Sequence, residues 1–169
     1  MTLDIRGSLK STKLSRNPYV VFEELISNAI DSFLIRKNED STARNLKISI
    51  SVDFFSADLI NGTEDMSIGC ADNGCGLGDE QLSAFLTKDT SYKDDLQIPG
   101  IGKCMGAGRI QFFHHFSFFA LDSTYRVGDE FIKRQVSYSE PKKQIEPQDF
   151  SSTPGTATDL GTRITLKNL

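Results

Sequence analysis

The 169-residue sequence has no long apolar run, no excess of basic charge and only three cysteines. Each shortage excludes something. No stretch approaches the ~18–20 apolar residues of a membrane-spanning helix. The opening "MTLDIRGSLKSTKL" has no apolar signal-peptide core, so a cytoplasmic protein is expected. Net charge is −4 without a long basic run, which gives no direct nucleic-acid signal. Cys70, Cys75 and Cys104 are odd in number and lack zinc spacing, so they read as reduced, partly buried thiols. No internal repeat or low-complexity tract is visible. At this length one domain with a substantial core is expected.

Along the chain, Asn17-Pro18 reads as the start of a helix running to about Arg36 or Lys37. "LKISISVDF" (46–54) alternates strictly and predicts a strand with Leu46, Ile48, Ile50, Val52 and Phe54 on a buried face. Residues 56–65 read as a loop, and "MSIGCA" (66–71) as a second strand ending in the turn cluster "DNGCGLG". A short helix over 78–86 follows. Residues 87–108 have many glycines and little apolar periodicity, the mark of a long mobile functional segment. The apolar run 109–120 predicts a helix. "STYRV" and "EFIKRQVSYS" flank Gly128-Asp129, a hairpin signal. Residues 140–159 read as a loop and "GTRITLKNL" as a last strand. This order predicts a two-layer α/β (α+β) sandwich, a mixed, mostly antiparallel sheet with helices on one face.

The first helix carries an unusual row. Glu24, Asn28 and Asp31 fall within a fan of roughly 60° at about 100° per residue. Phe22, Ile26, Ala29 and Phe33 lie near the opposite side. A solvated face usually carries Lys and Glu in i,i+4 ion pairs. This row is acid, amide, acid, with no basic partner at the matching spacing. It suits a magnesium nucleotide. An amide oxygen can ligate Mg²⁺, a carboxylate one turn earlier can deprotonate an attacking water, and a further acid can hold water or ribose-side contacts.

Two glycine-rich stretches suit the same ligand. "DNGCG" (72–76) places Asp72 at a strand end before a tight turn of Gly74 and Gly76. A carboxylate there can accept from an exocyclic amine such as adenine's, with glycine letting the base approach. "GIGKCMGAGR" carries Gly100, Gly102, Gly106 and Gly108 just before a helix, with Lys103 and Arg109 adding positive charge. Such backbone can cradle phosphate. It lacks the P-loop spacing, and no strand feeds into it as a dinucleotide fingerprint requires.

In this order the segments resemble the GHKL ATPases, the group of gyrase-type topoisomerases, heat-shock chaperone ATPases, histidine kinases and MutL-type repair proteins. "ELISNAIDS" (24–32) is similar to the N-box, "DNGCG" to the D-x-G-x-G adenine box, 100–109 to the glycine-rich lid hinge and "GTRITL" (161–166) to the closing strand. The glycine spacing is closer to that of MORC-type ATPases than to the chaperone pattern. The resemblance spans about residues 17–169 and implies the Bergerat fold, with ATP beneath a mobile lid over 87–108. It implies Glu24 as general base, Asn28 as Mg²⁺ ligand, Asp31 as the acid near base and ribose, Asp72 as adenine reader, Gly76 as the residue giving it room, and Thr162 beside the adenine. Gly100, Gly102, Gly106 and Gly108 would shape the phosphate loop. "TSYK" (90–93) resembles a MutL-like lid segment, with Lys93 a candidate phosphate contact. His114 and His115 read as packing or surface residues.

The expected activity is slow ATP hydrolysis driving a conformational or dimerisation switch. One alternative is a nucleotide switch that hardly hydrolyses. The other is a histidine-kinase domain, which Glu24 disfavours and for which no dimerising helix with an acceptor histidine precedes the N-box. The resemblance also implies a following domain that supplies a lysine or arginine to the γ-phosphate. The chain is therefore expected to be the N-terminal part of a longer protein, able to form an ATP-dependent homodimer.

Overall fold

The computed structural model describes residues 1–58, 60, 62–88, 90–101 and 108–168. Six strands form one antiparallel sheet, in the order β2 (Ile48–Asp58), β3 (Thr63–Asp72), β8 (Gly161–Lys167), β4 (Phe118–Val127), β5 (Glu130–Ser139), β7 (Ser151–Pro154). A second, two-stranded sheet pairs β1 (Leu3–Asp4) with β6 (Gln144–Ile145). The helices are α1 (Ile5–Ser11), α2 (Val20–Glu39), α3 (Asp79–Leu86), α4 (Tyr92–Asp95) and α5 (Ile110–His115). Side chains of α2, α3 and α5 share one core with a single face of the large sheet, giving the two-layer α+β sandwich that the element order predicts. Among the described residues no helix is long and apolar enough to cross a membrane.

Strand alternation writes the core in rows. Across the centre of the sheet, Ile68, Leu166, Phe119 and Tyr138 stand side by side, all buried. One step along, Cys70, Ile164, Leu121 and Val136 form the next row. One step further the same face turns polar, with Asp72, Thr162, Ser123 and Arg134. The polar row therefore shares the core's face of the sheet, at the end where β3 runs into the "DNGCG" turn.

Several expectations are corrected. The run 109–120 is two elements: α5 stops at His115, and Phe118 begins β4. Phe112 and Phe113 from the helix then meet Phe119 from the strand, with ring centroids 6.4 and 5.4 Å apart. β2 and β3 extend into the 56–65 segment read as loop, while 140–159 holds β6 and β7. β2 is an edge strand, so its expected buried face is half open: Ile50 is 38% exposed and Phe54 70%. On α2 the buried stripe is Val21, Leu25, Ala29 and Phe33, whereas Ile26 and Ile30 face outward. The polar row flanks the buried stripe rather than opposing it. Residues 1–16, read only for the lack of a signal peptide, contribute Leu3 and Ile5 to the core.

Candidate functional site

A cavity of about 350 Å³ lies between α2 and the sheet. That is the size range of small-molecule sites. Glu24, Asn28 and Asp31 line one wall, Asp72, Gly76 and Thr162 another, and Tyr92, Lys93 and Gly108 close a third. Cys70, Leu121 and Ile164 give it an apolar floor, made by the second row of the sheet.

The strand end is internally satisfied. Asp72 Oδ1 accepts from the Gly74 amide at 2.8 Å, and the carboxylate also accepts from the Thr162 amide. The Thr162 hydroxyl meets Ser123 Oγ at 2.8 Å, and Ser123 accepts from the Leu77 amide at 2.7 Å. Burial outweighs Asp72's hydrogen bonds and pushes its carboxyl up to about 6, against an ordinary 3.8. Gly76 makes the turn possible. Its φ is +77°, and a Cβ there would stand 2.1 Å from the Thr124 carbonyl oxygen.

Residues outside the predicted site set also hold this turn. Arg134, only 7% exposed, donates to the Leu77 carbonyl at 2.7 Å, to Asp79 at 2.8 Å and to the Tyr125 hydroxyl at 2.9 Å. Ser32 Oγ accepts from the Cys75 amide at 3.1 Å, which ties the turn to α2. A signal for Arg134 exists in the β5 alternation, where Tyr138 and Val136 give way to a charged residue at the next inward position. Cys75 lines the cavity, but burial pushes its thiol up to about 11, which leaves it protonated and inert.

The helix end is organised around Asn28. Its Nδ2 donates to Glu24 Oε1 at 3.0 Å, which turns its Oδ1 the other way. Lys93, from α4, donates to that Oδ1 at 2.8 Å and to Asp31 Oδ2 at 2.7 Å. The Asp31 side chain is 6% exposed, so its charge has a nearby counter-ion rather than water. The absence of a basic partner within the helix is thus made good from α4. Gly108 lies directly against Glu24; a Cβ on it would stand 2.0 Å from Oε2.

The structure brings together Glu24, Asn28, Asp31, Asp72, Gly76, Lys93, Gly108 and Thr162 around the cavity. Gly74 contributes its amide to Asp72 without lining the cavity, and Gly100 lies beside Leu34, away from it. Gly102, Lys103, Gly106 and Cys104 fall outside the described residues. His114 Nε2 bonds the Thr12 carbonyl at 2.7 Å, a packing contact, and does not line the cavity.

The donor set fits a magnesium ion. Two oxygens, one amide and one carboxylate, already converge on a cation. Among the described residues no three His, Cys, Asp or Glu side chains cluster into a metal cage. Mg²⁺ bound together with a nucleotide does not need one, because phosphates and water complete its octahedron.

No family model matches the chain, and no curated protein matches it in sequence. Solved structures do match its shape. The ATPase and transducer domains of DNA topoisomerase II from Balamuthia mandrillaris superpose with a TM-score of 0.58 at 17% identity, over 88% of this chain and 36% of that one. The ATPase region of Saccharomyces cerevisiae topoisomerase II gives 0.57 at 16% identity, over 88% and 37%. The same region bound to dexrazoxane gives 0.56 at 16% identity. The chain thus spans little more than a third of the length of these structures. At such identities the likeness establishes the fold, which is the Bergerat fold of the GHKL ATPases.

Proposed function

We propose that this chain binds Mg-ATP in the cavity beneath α2 and hydrolyses it slowly, as the nucleotide-gated switch of a larger assembly. One observation carries the reading: a single cavity has a buried purine-reading carboxylate at one end and an acid–amide–acid row at the other, on a fold shared with topoisomerase II ATPase regions. Asp72 accepts the adenine amine, Gly76 leaves room for the ring and Thr162 sits beside it. Asp31 faces the base and ribose. Asn28 Oδ1 holds Mg²⁺, which on binding would neutralise phosphate charge.

Glu24 is the proposed general base. It takes a proton from water as the water oxygen bonds to the γ-phosphorus and the bond to the β–γ bridging oxygen breaks. Asn28 Nδ2 fixes the carboxylate's direction. The stretch containing Gly102, Lys103, Gly106 and Gly108 supplies amides and charge to the phosphates, and Lys93 is available to them. Residues 87–108 form the lid. A downstream domain and an ATP-dependent homodimer complete the cycle, as suits a chain that matches only part of the longer ATPase structures.

The test is Glu24→Ala in a paired binding and turnover assay. The proposal expects phosphate release to fall about 10²-fold or more while affinity for a non-hydrolysable analogue persists. A wild type that binds ATP tightly and shows no turnover to lose would leave a binding switch, and hydrolysis would be withdrawn.

A further inference from the structure

We propose that Lys93 is a built-in place-holder for the metal: without nucleotide its ammonium occupies the position on Asn28 that Mg²⁺ takes, and loading exchanges one cation for the other. The inference rests on the ATP-site reading above and adds a step of regulation to it.

The geometry is specific. Asn28 can offer only one oxygen, and its amide is oriented by the bond from Nδ2 to Glu24 Oε1 at 3.0 Å. The free Oδ1 is the atom Lys93 reaches, at 2.8 Å. The same ammonium is 2.7 Å from Asp31 Oδ2. A metal ligated by Oδ1 at about 2.0–2.1 Å would share that oxygen's lone-pair region with a second cation. Two cations at such range repel, and little water lies between to screen them. Asn28 therefore holds the ammonium or the metal, not both.

The site needs a cation in either state. Glu24 and Asp31 stand one turn to either side of Asn28, and the Asp31 carboxylate is almost wholly out of water. Among the described residues no second cation bonds its oxygens. Lysine suits temporary occupancy, being a compact charge on a flexible four-carbon stem. Its backbone belongs to α4, which is also tied to α3 by Gln81 Nε2 donating to the Tyr92 hydroxyl at 2.8 Å. Displacing the ammonium thus loosens a contact that helps hold α4 over the cavity. Metal arrival and movement of this segment become one event.

A place-holder and a simple phosphate contact make different predictions about magnesium. A residue that only touches phosphate strengthens nucleotide binding with or without metal. A place-holder opposes the metal-loaded form alone and serves as the stand-in cation for bare nucleotide. The measurement is ADP affinity of the 169-residue chain by titration calorimetry, in Mg²⁺ and in EDTA, for wild type and Lys93→Met. The magnesium enhancement, the ratio of the two dissociation constants, should rise about tenfold in Lys93→Met, as expected if roughly nine-tenths of wild-type molecules are in the plugged state. Lys93→Gln should show the same rise and stands in if the Met variant fails to fold. A ratio that is unchanged or smaller overturns the place-holder. A wild type that binds no adenine nucleotide overturns the ATP-site reading itself, a distinct result. Without nucleotide, Asp31→Asn and Lys93→Met should be non-additive in thermal unfolding; additivity would also overturn the contact.

Discussion

The polar row on the sheet and the polar row on α2 face the same cavity but are held in different ways. The sheet row is closed on itself: Asp72, Thr162 and Ser123 bond one another or nearby amides, and Arg134 braces the turn from behind. The α2 row is completed from outside, by Lys93 of α4 and by the backbone of Gly108. A rigid end suits recognition of a ring whose shape never changes. An end finished by other segments suits phosphates and metal, which arrive, react and leave. On the proposed ATP-site reading, one cavity would separate recognition from switching by how its walls are supported.

That division can be broken from either side. The largest effect is expected at Arg134. Arg134→Met leaves the Tyr125 hydroxyl and the Leu77 carbonyl without their donor and should destabilise the fold by about 3 kcal/mol in chemical denaturation. Gly76→Ala follows, at about 2–3 kcal/mol, because it combines a left-handed φ with a collision against backbone that cannot move aside. Gly108→Ala should behave oppositely. The atoms nearest its Cβ belong to the end of the flexible Glu24 side chain, so the melting temperature should hardly change while turnover drops roughly tenfold to a hundredfold through misplacement of the base. Equal losses of stability at Gly76 and Gly108 would erase the contrast between the two walls.

A smaller, pH-dependent effect sharpens the comparison. Burial raises the Asp72 carboxyl from 3.8 to about 6, so ionisation disfavours the ligand-free fold above that value. The contribution of this group to stability is present below pH 3.8 and is lost as pH rises through about 6. Asp72→Asn should therefore stabilise the ligand-free protein at pH 7–8, by up to about 3 kcal/mol, and the gain should vanish near pH 4. Nucleotide affinity should run the other way in wild type, weakening below about pH 6 as the ionised acceptor is lost. Thermal denaturation and binding titrations between pH 4 and 8 read both slopes.

The two rows were also unequally legible in the sequence. Glu24, Asn28 and Asp31 stand in one helical row, and Asp72 with its glycines forms a compact turn motif, so local spacing sufficed for them. Lys93 was visible only as a residue of a resembling segment; that it meets Asn28 and Asp31, more than sixty residues earlier, is a tertiary fact. Ser123 and Arg134 were missed because no motif marks them, although each is where an inward-facing strand series turns from apolar to polar. The Phe-rich run 109–120 was read as one helix because consecutive aromatics satisfy both helical and strand periods. The alternation of β2 was read correctly as a strand and wrongly as buried, since periodicity reports which residues share a face and not whether anything covers it. The helix within residues 1–16 spans only Ile5–Ser11 and carries the poor helix former Gly7, so it does not stand out by pattern alone.

The most direct test of the account is diffraction from crystals grown with Mg²⁺ and a non-hydrolysable ATP analogue. The account predicts the adenine amine on the Asp72 carboxylate, the metal on Asn28 Oδ1 and the Lys93 ammonium withdrawn from it. Nucleotide found outside this cavity, or a cavity that stays empty at saturating analogue, would contradict it.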